Sequence, residues 1–95
     1  MQFQGFDWDE GNRAKCCKHG VSIAEIEQVL CADPALRPDP DHSASELRIR
    51  AIGKSHAGRW VFLAFTIRQH DDRRLIRPVS ARYMHAKEIR HYEEA

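Results

Sequence analysis

From residue 46 the chain alternates. Leu47, Ile49 and Ala51 fall on one side of an extended chain, and Glu46, Arg48 and Arg50 fall on the other. That period of two is the signature of a strand from about Ser45 with one face buried and one charged. The next stretch, Arg59 to Arg68, is apolar at successive positions, which predicts a strand covered on both faces in the middle of a sheet. Gly53 to Gly58 supplies the turn between them. A second turn at His70-Asp71-Asp72-Arg73 leads into Leu75 to Arg82, where Pro78 has no N–H for a ladder. That strand must lie at an edge, carry a bulge, or aim the missing donor at solvent.

Upstream the period lengthens. Ile23, Ile26, Val29 and Leu30 recur at spacings of three and four, so a helix is predicted that buries one stripe. Ser22 to Glu25 is a capping box for it, Val21 stands where it can staple onto Ile26, and the helix ends before Asp33-Pro34. An earlier helix runs from the N-cap Asp9 to about Lys18 and stops at Gly20. Phe3 to Trp8 alternates weakly, as a short strand would. Asp33 to His42 holds three prolines and reads as a loop. A last helix, about His85 to Glu93, directs Ile89 and Tyr92 toward the sheet. Two helices, an antiparallel sheet of three to four strands and a closing helix make an α+β domain.

Length, charge and cysteines narrow the classes. Ninety-five residues make a single domain, 1-95. The longest apolar run is Trp60 to Phe65, far short of the roughly 20 residues that cross a bilayer, and residues 1–15 hold no signal-like apolar segment. A soluble, cytoplasmic protein is expected. Three cysteines, two of them adjacent, give no disulfide framework. The net charge of +1 conceals segregation: residues 1–47 hold four Lys/Arg against nine Asp/Glu, and residues 48–95 hold eleven against five. A basic C-terminal half suits an anion, nucleic acid above all, although two oppositely charged halves can also attract each other within the fold. Neither C-x₂-C nor H-x₃-H occurs, so no metal and no other cofactor is expected. No G-x-S-x-G and no glycine-rich phosphate loop is present.

Four segments occur together and in order: Trp8-Asp9-Glu10-Gly11-Asn12; Lys18-His19-Gly20-Val21-Ser22; Asp39-Pro40-Asp41-His42-Ser43 with Glu46; and Ile76-Arg77-Pro78-Val79-Ser80-Ala81-Arg82 followed by Glu88 and Tyr92. In this combination the chain resembles the BrnT toxin family from Phe6 to about Glu93. It departs from the family at Cys16-Cys17, where a polar or aliphatic pair is usual. The resemblance implies a RelE-like fold and a ribonuclease toxin of a type II toxin–antitoxin pair, which inhibits translation by cutting RNA. It also implies a BrnA-like antitoxin with a ribbon-helix-helix part, through which the complex would contact DNA.

Cutting RNA without a metal needs a base for a 2′-OH, an acid for the leaving 5′-oxygen, and cations for the charge that develops on phosphate. Candidates for catalysis are Lys18, His19, Glu46, Arg77 and Arg82; candidates for RNA binding are Arg48, Arg50, Arg68 and His42. Each has a bland reading beside it. Lys18 and His19 suit the end of a helix because of its dipole alone. Glu46 and the strand arginines can be ordinary surface ion pairs. His42 can be part of a turn. His56, His70 and His91 look solvated, and the cysteines look like small helix residues rather than nucleophiles. No acidic residue lies between Arg73 and Lys87, which leaves Arg82 without a local partner and free for an external anion; the bland reading is that it pairs with Glu88 or another distant carboxylate and clamps the last helix. The alternative to a ribonuclease is a non-catalytic interaction domain whose basic half docks an acidic protein or nucleic acid.

Overall fold

Reciprocal caps start both N-terminal helices. Asp9 accepts the N–H of Asn12 while the Asn12 side chain accepts the N–H of Asp9, at 3.0 and 2.7 Å. In this cap an asparagine takes the place that Glu or Gln usually fills. The helix α1, Glu10–Cys17, gives way at Gly20, whose φ of +92° suits a residue without Cβ. Ser22 and Glu25 form the second box and open α2, Ile23–Cys31; such a cap contributes about 1 kcal/mol. The computed structural model describes residues 3–39 and 46–94 of the chain, so His42 lies outside the described residues.

Four antiparallel strands follow in spatial order: β1, Ala35–Pro38; β2, Arg48–Lys54; β3, Trp60–His70; and β4, Arg73–Tyr83. The helix α3, Ala86–Glu94, closes the described chain. The architecture is the α+β arrangement that the pattern predicts. Ile26, Val29 and Leu30 of α2, Cys16 of α1 and Val21 pack on Ala51, Val61, Leu63, Phe65, Ile76 and Ala81. Burying each of the larger side chains stabilises the fold by roughly 1.5–3 kcal/mol, and truncating Leu63 or Phe65 to Ala would cost about 2–5 kcal/mol.

Several boundaries differ from the expectation. The proline-rich stretch contains an edge strand, β1, paired from Ala35↔Ile52 to Pro38↔Ile49; an edge strand can accommodate a proline with no N–H to give. The strand predicted from Ser45 begins at Arg48 and extends through Gly53 to Lys54, leaving Leu47 63% exposed rather than in the core. The turn is correspondingly Ser55 to Arg59, closed by Ser55 N–H to the Arg59 carbonyl at 3.0 Å. The strand expected at Phe3 to Trp8 is reduced to one parallel bridge, Phe6↔Ile76, with flanking backbone bonds to Arg74 and Ile76. β4 resolves the Pro78 question twice over. It is the sheet's outer strand, and its register slips so that Ala64 faces Ser80 while Phe65 faces Pro78, leaving Val79 as a bulge. α3 buries none of its residues: Tyr92 meets Trp60 edge-on at 5.2 Å, and Ile89 is only half-buried.

Candidate active site

α1 and α2 cover one face of the sheet and leave the other to arginines. The odd positions Val61, Leu63 and Phe65 of β3 enter the core, so the even positions face away from those helices. Residues paired across strands share a face. Arg48, Thr66 and Arg77 form one such row; Arg37, Arg50, Ala64 and Ser80 form the next but one; Ile52, Phe62 and Arg82 form a third. The sheet thus brings together Arg48, Arg50, Arg77 and Arg82, with Arg68 and Glu46 at one end.

Each of these arginines meets a carboxylate. Arg50 reaches Asp39 at 2.9 Å and Arg48 approaches the same carboxylate at 3.8 Å. Asp39 is 4% exposed. Arg68 joins Glu46 at 2.9 Å. Arg77, 18% exposed, joins Asp9 at 2.9 Å and Asp7 at 3.6 Å. Arg82 grips Glu88 with both guanidinium nitrogens, at 2.8 and 2.9 Å. Of the two readings of Arg82, its resting contacts follow the clamp: α3 folds back and supplies Glu88 from beyond the stretch that holds no acid. The two halves of the chain do attract each other at Arg48, Arg50, Arg68 and Arg77, so part of the charge segregation is spent inside the fold.

These pairs set the protonation states. The Arg82 fork, followed by the N–H of His85, holds Glu88 down at about 2. Glu88 is therefore a poor proton acceptor near neutrality, and its effect is to orient Arg82, whose own pKa it raises. The Asn12 N–H and then Arg77 lower Asp9. Arg82 also lies over the Phe62 ring at 4.7 Å. Thr66, 4% exposed between Arg48 and Arg77, has a hydroxyl without a hydrogen-bond partner among the described residues. Burial, then the neighbouring Cys17, pushes the Cys16 thiol up to about 11, which makes it inert as a nucleophile at neutral pH.

Lys18 and His19 stand apart from the arginine rows. They follow α1, are exposed, and their side chains have no hydrogen bond or ion pair among the described residues. The adjacent Gly20 carbonyl accepts from the Tyr83 hydroxyl at 3.4 Å, and Tyr83, paired with the core residue Val61, lies on the helix-covered face opposite Arg82. The same hydroxyl bonds Glu25 and raises the tyrosine pKa. His70, expected to be solvated, is exposed but lies 3.5 Å from Asp7.

Sequence reasoning left Asn12 and Asp39 without a role and weighed Glu88 only as a clamp on Arg82. Asn12 is buried and uses its amide to reach the carbonyls of Asp7 and Pro78, at 2.9 and 2.8 Å, which pins α1 to the bulge beside Arg77. Asp39 and Glu88 are the carboxylates that position arginines. All three lie within the quoted segments, and the signal for Glu88 was its place three residues after His85, where it can bond back to that residue's N–H. Among the described residues no group of three or more His, Cys, Asp and Glu is placed to hold a metal ion. No described helix is long and apolar enough to cross a membrane.

A family model described as "Ribonuclease toxin, BrnT, of type II toxin-antitoxin system" matches residues 8–88. No curated protein matches the chain.

Proposed function

Because the chain belongs to the BrnT family of ribonuclease toxins of type II toxin–antitoxin systems, we propose that it is a single toxin domain that cuts RNA internally without a metal ion. Translation stops as a result, and a ribbon-helix-helix antitoxin neutralises the protein in the cytoplasm. The observation that carries this reading is the open sheet face, with Arg50, Arg68, Arg77 and Arg82 held by carboxylates and Arg48 3.8 Å from Asp39, around a Thr66 hydroxyl without a hydrogen-bond partner among the described residues. A guanidinium already oriented loses little freedom when it takes a phosphate, and preorganised donors are most effective where charge develops.

In the proposed reaction the 2′-oxygen of RNA attacks the adjacent phosphorus, and its proton passes to a base. The bond from phosphorus to the 5′-oxygen breaks, and an acid protonates that oxygen. The products are a 2′,3′-cyclic phosphate and a 5′-hydroxyl. Arg77 and Arg82 hold the scissile phosphate; Arg48, Arg50 and Arg68 contact its neighbours; Glu46 or His42 orients the reacting groups. Lys18 and His19 supply protons or charge from the Tyr83 end of β4. The geometry supports the arginine roles more directly than those of Lys18 and His19, which stand outside the rows.

The test is cleavage of single-stranded RNA by the purified, antitoxin-free chain in excess EDTA, with the product ends identified. Cyclic or 3′-phosphate ends are expected. Loss of cleavage with chelator, restored by one particular metal, overturns metal independence. Tight RNA binding without cleavage under all conditions favours a non-catalytic interaction domain.

A further inference from the structure

The open face has one hollow that the arginines leave unfilled. It lies between α3 and the β2–β3 part of the sheet, with a volume of about 900 Å³. Ile52, Phe62 and Met84 wall it on one side, and His85, His91 and Tyr92 wall it on the other. The lining is mostly apolar, and α3 contributes no buried residue to seal it. Tyr92, one of its walls, meets Trp60 edge-on at 5.2 Å. Two of its walls touch Arg82: its guanidinium lies 4.7 Å from the centre of the Phe62 ring and grips Glu88.

We propose that this cleft is a nucleobase subsite, holding an unpaired base of single-stranded RNA against Phe62 while the attached phosphate displaces Glu88 from the Arg82 fork. The inference rests on the ribonuclease reading and deepens it. A nucleotide joins a flat apolar base to an anion, and Phe62 with Arg82 presents a flat apolar ring beside a bidentate cation. The charge around the mouth agrees: Lys87 and Arg90 line the same helix wall, while Glu88, one of two acids there, is already bound by Arg82. Glu88 shows that the fork binds an anion bidentately at this place. A base held in a duplex is stacked on its neighbours and cannot enter, so the cleft selects single strands.

The test uses a fluorescent single-stranded oligoribonucleotide with 2′-O-methyl groups, which binds without being cut, and the matching duplex. Phe62→Leu keeps apolar volume and removes the ring; its affinity for the single strand is expected to fall roughly tenfold to a hundredfold, the scale for losing one stacked base. Affinity for the duplex is expected to stay unchanged, and Phe62→Trp is expected to retain single-strand binding. Photocrosslinking of a 4-thiouridine strand to the wild-type chain, mapped by mass spectrometry, is expected to mark Phe62 or Tyr92 and needs no variant to fold. Equal binding by wild type and folded Phe62→Leu, or crosslinks only elsewhere, overturns the subsite and leaves the ribonuclease reading standing if wild type still cuts RNA. Loss of antitoxin binding by Phe62→Leu with RNA binding unchanged assigns the cleft to a protein segment and also overturns it. A wild-type chain that neither binds nor cuts RNA overturns both.

Discussion

Replacing Arg82 by Ala separates a clamp from a catalytic group, because the structure bounds what the clamp alone can contribute. Arg82 and Glu88 are 37% and 36% exposed, so solvent screens the pair and its contribution to stability is at most about 1 kcal/mol. The contact with the Phe62 ring adds about 0.5–1 kcal/mol at a site this exposed. Together they place the loss at about 1–2 kcal/mol, or roughly 5–15 °C in melting temperature for a domain of this size. If Arg82 also stabilises charge on the scissile phosphate, cleavage falls about a hundredfold or more, the scale for removing one preorganised donor. The assay is RNA cleavage at a temperature where the mutant remains folded, with melting temperature and antitoxin affinity measured on the same preparation. Arg82→Lys recovers little activity, since an ammonium keeps the charge and loses the fork. A mutant that melts early and cuts RNA at the normal specific rate removes Arg82 from the site and leaves it as a clamp on α3.

Acid provides an independent readout. Glu88 sits near 2 in the folded chain against an ordinary 4.5, so the stability it gives is complete above 4.5 and fades as pH falls toward 2; Arg82→Ala should flatten acid unfolding across that window, and identical profiles would refute the assignment. Salt should weaken RNA binding less steeply than five free arginines would require, about −0.7 per phosphate in the slope of log K against log salt, because carboxylates already screen them; a slope of about −3.5 or steeper would show that the pairs open completely. Asn12→Ala keeps the Asp9 cap but removes its reciprocal side-chain bond and the amide donors to one part-buried and one buried carbonyl, so a loss of about 2–3 kcal/mol in chemical denaturation is expected; a change below 0.5 kcal/mol would refute the pinning of α1.

What the sequence disclosed was local. Both N-terminal helices follow from caps and apolar spacing within nine or ten residues, and β3 follows from an uninterrupted apolar run. β1 was hidden because Pro34 and Pro38 argue against helix and central strand alike, and only the facing row of β2 shows that the segment between them pairs. Leu47 was misassigned because alternation fixes a residue's side but not where the ladder begins. The arginine rows were legible as residues and not as a site: their carboxylates come from the segment before α1, from the end of β1 and from α3. Glu88 was a candidate partner for Arg82 in the sequence, but only the return of α3 over the sheet decides that they meet. The Thr66 hydroxyl became visible only once cross-strand register was known.

The bulge at Val79 has a consequence for parity. Arg77 and Arg82 are five residues apart, an odd interval, and in an unbroken strand an odd interval sends two side chains to opposite faces. Their partners Thr66 and Phe62 are four apart, an even interval on one face. The extra residue absorbs the difference and brings both guanidinium groups to the same side. The length between the two arginines is therefore tied to the bulge: deleting Val79 would leave an even interval of four that keeps both on one face without a bulge, whereas adding one residue beside the single-residue bulge would turn one arginine toward the core face. The turn at Asp71-Asp72, beyond both arginines, is under no such constraint and can change length without altering their phase.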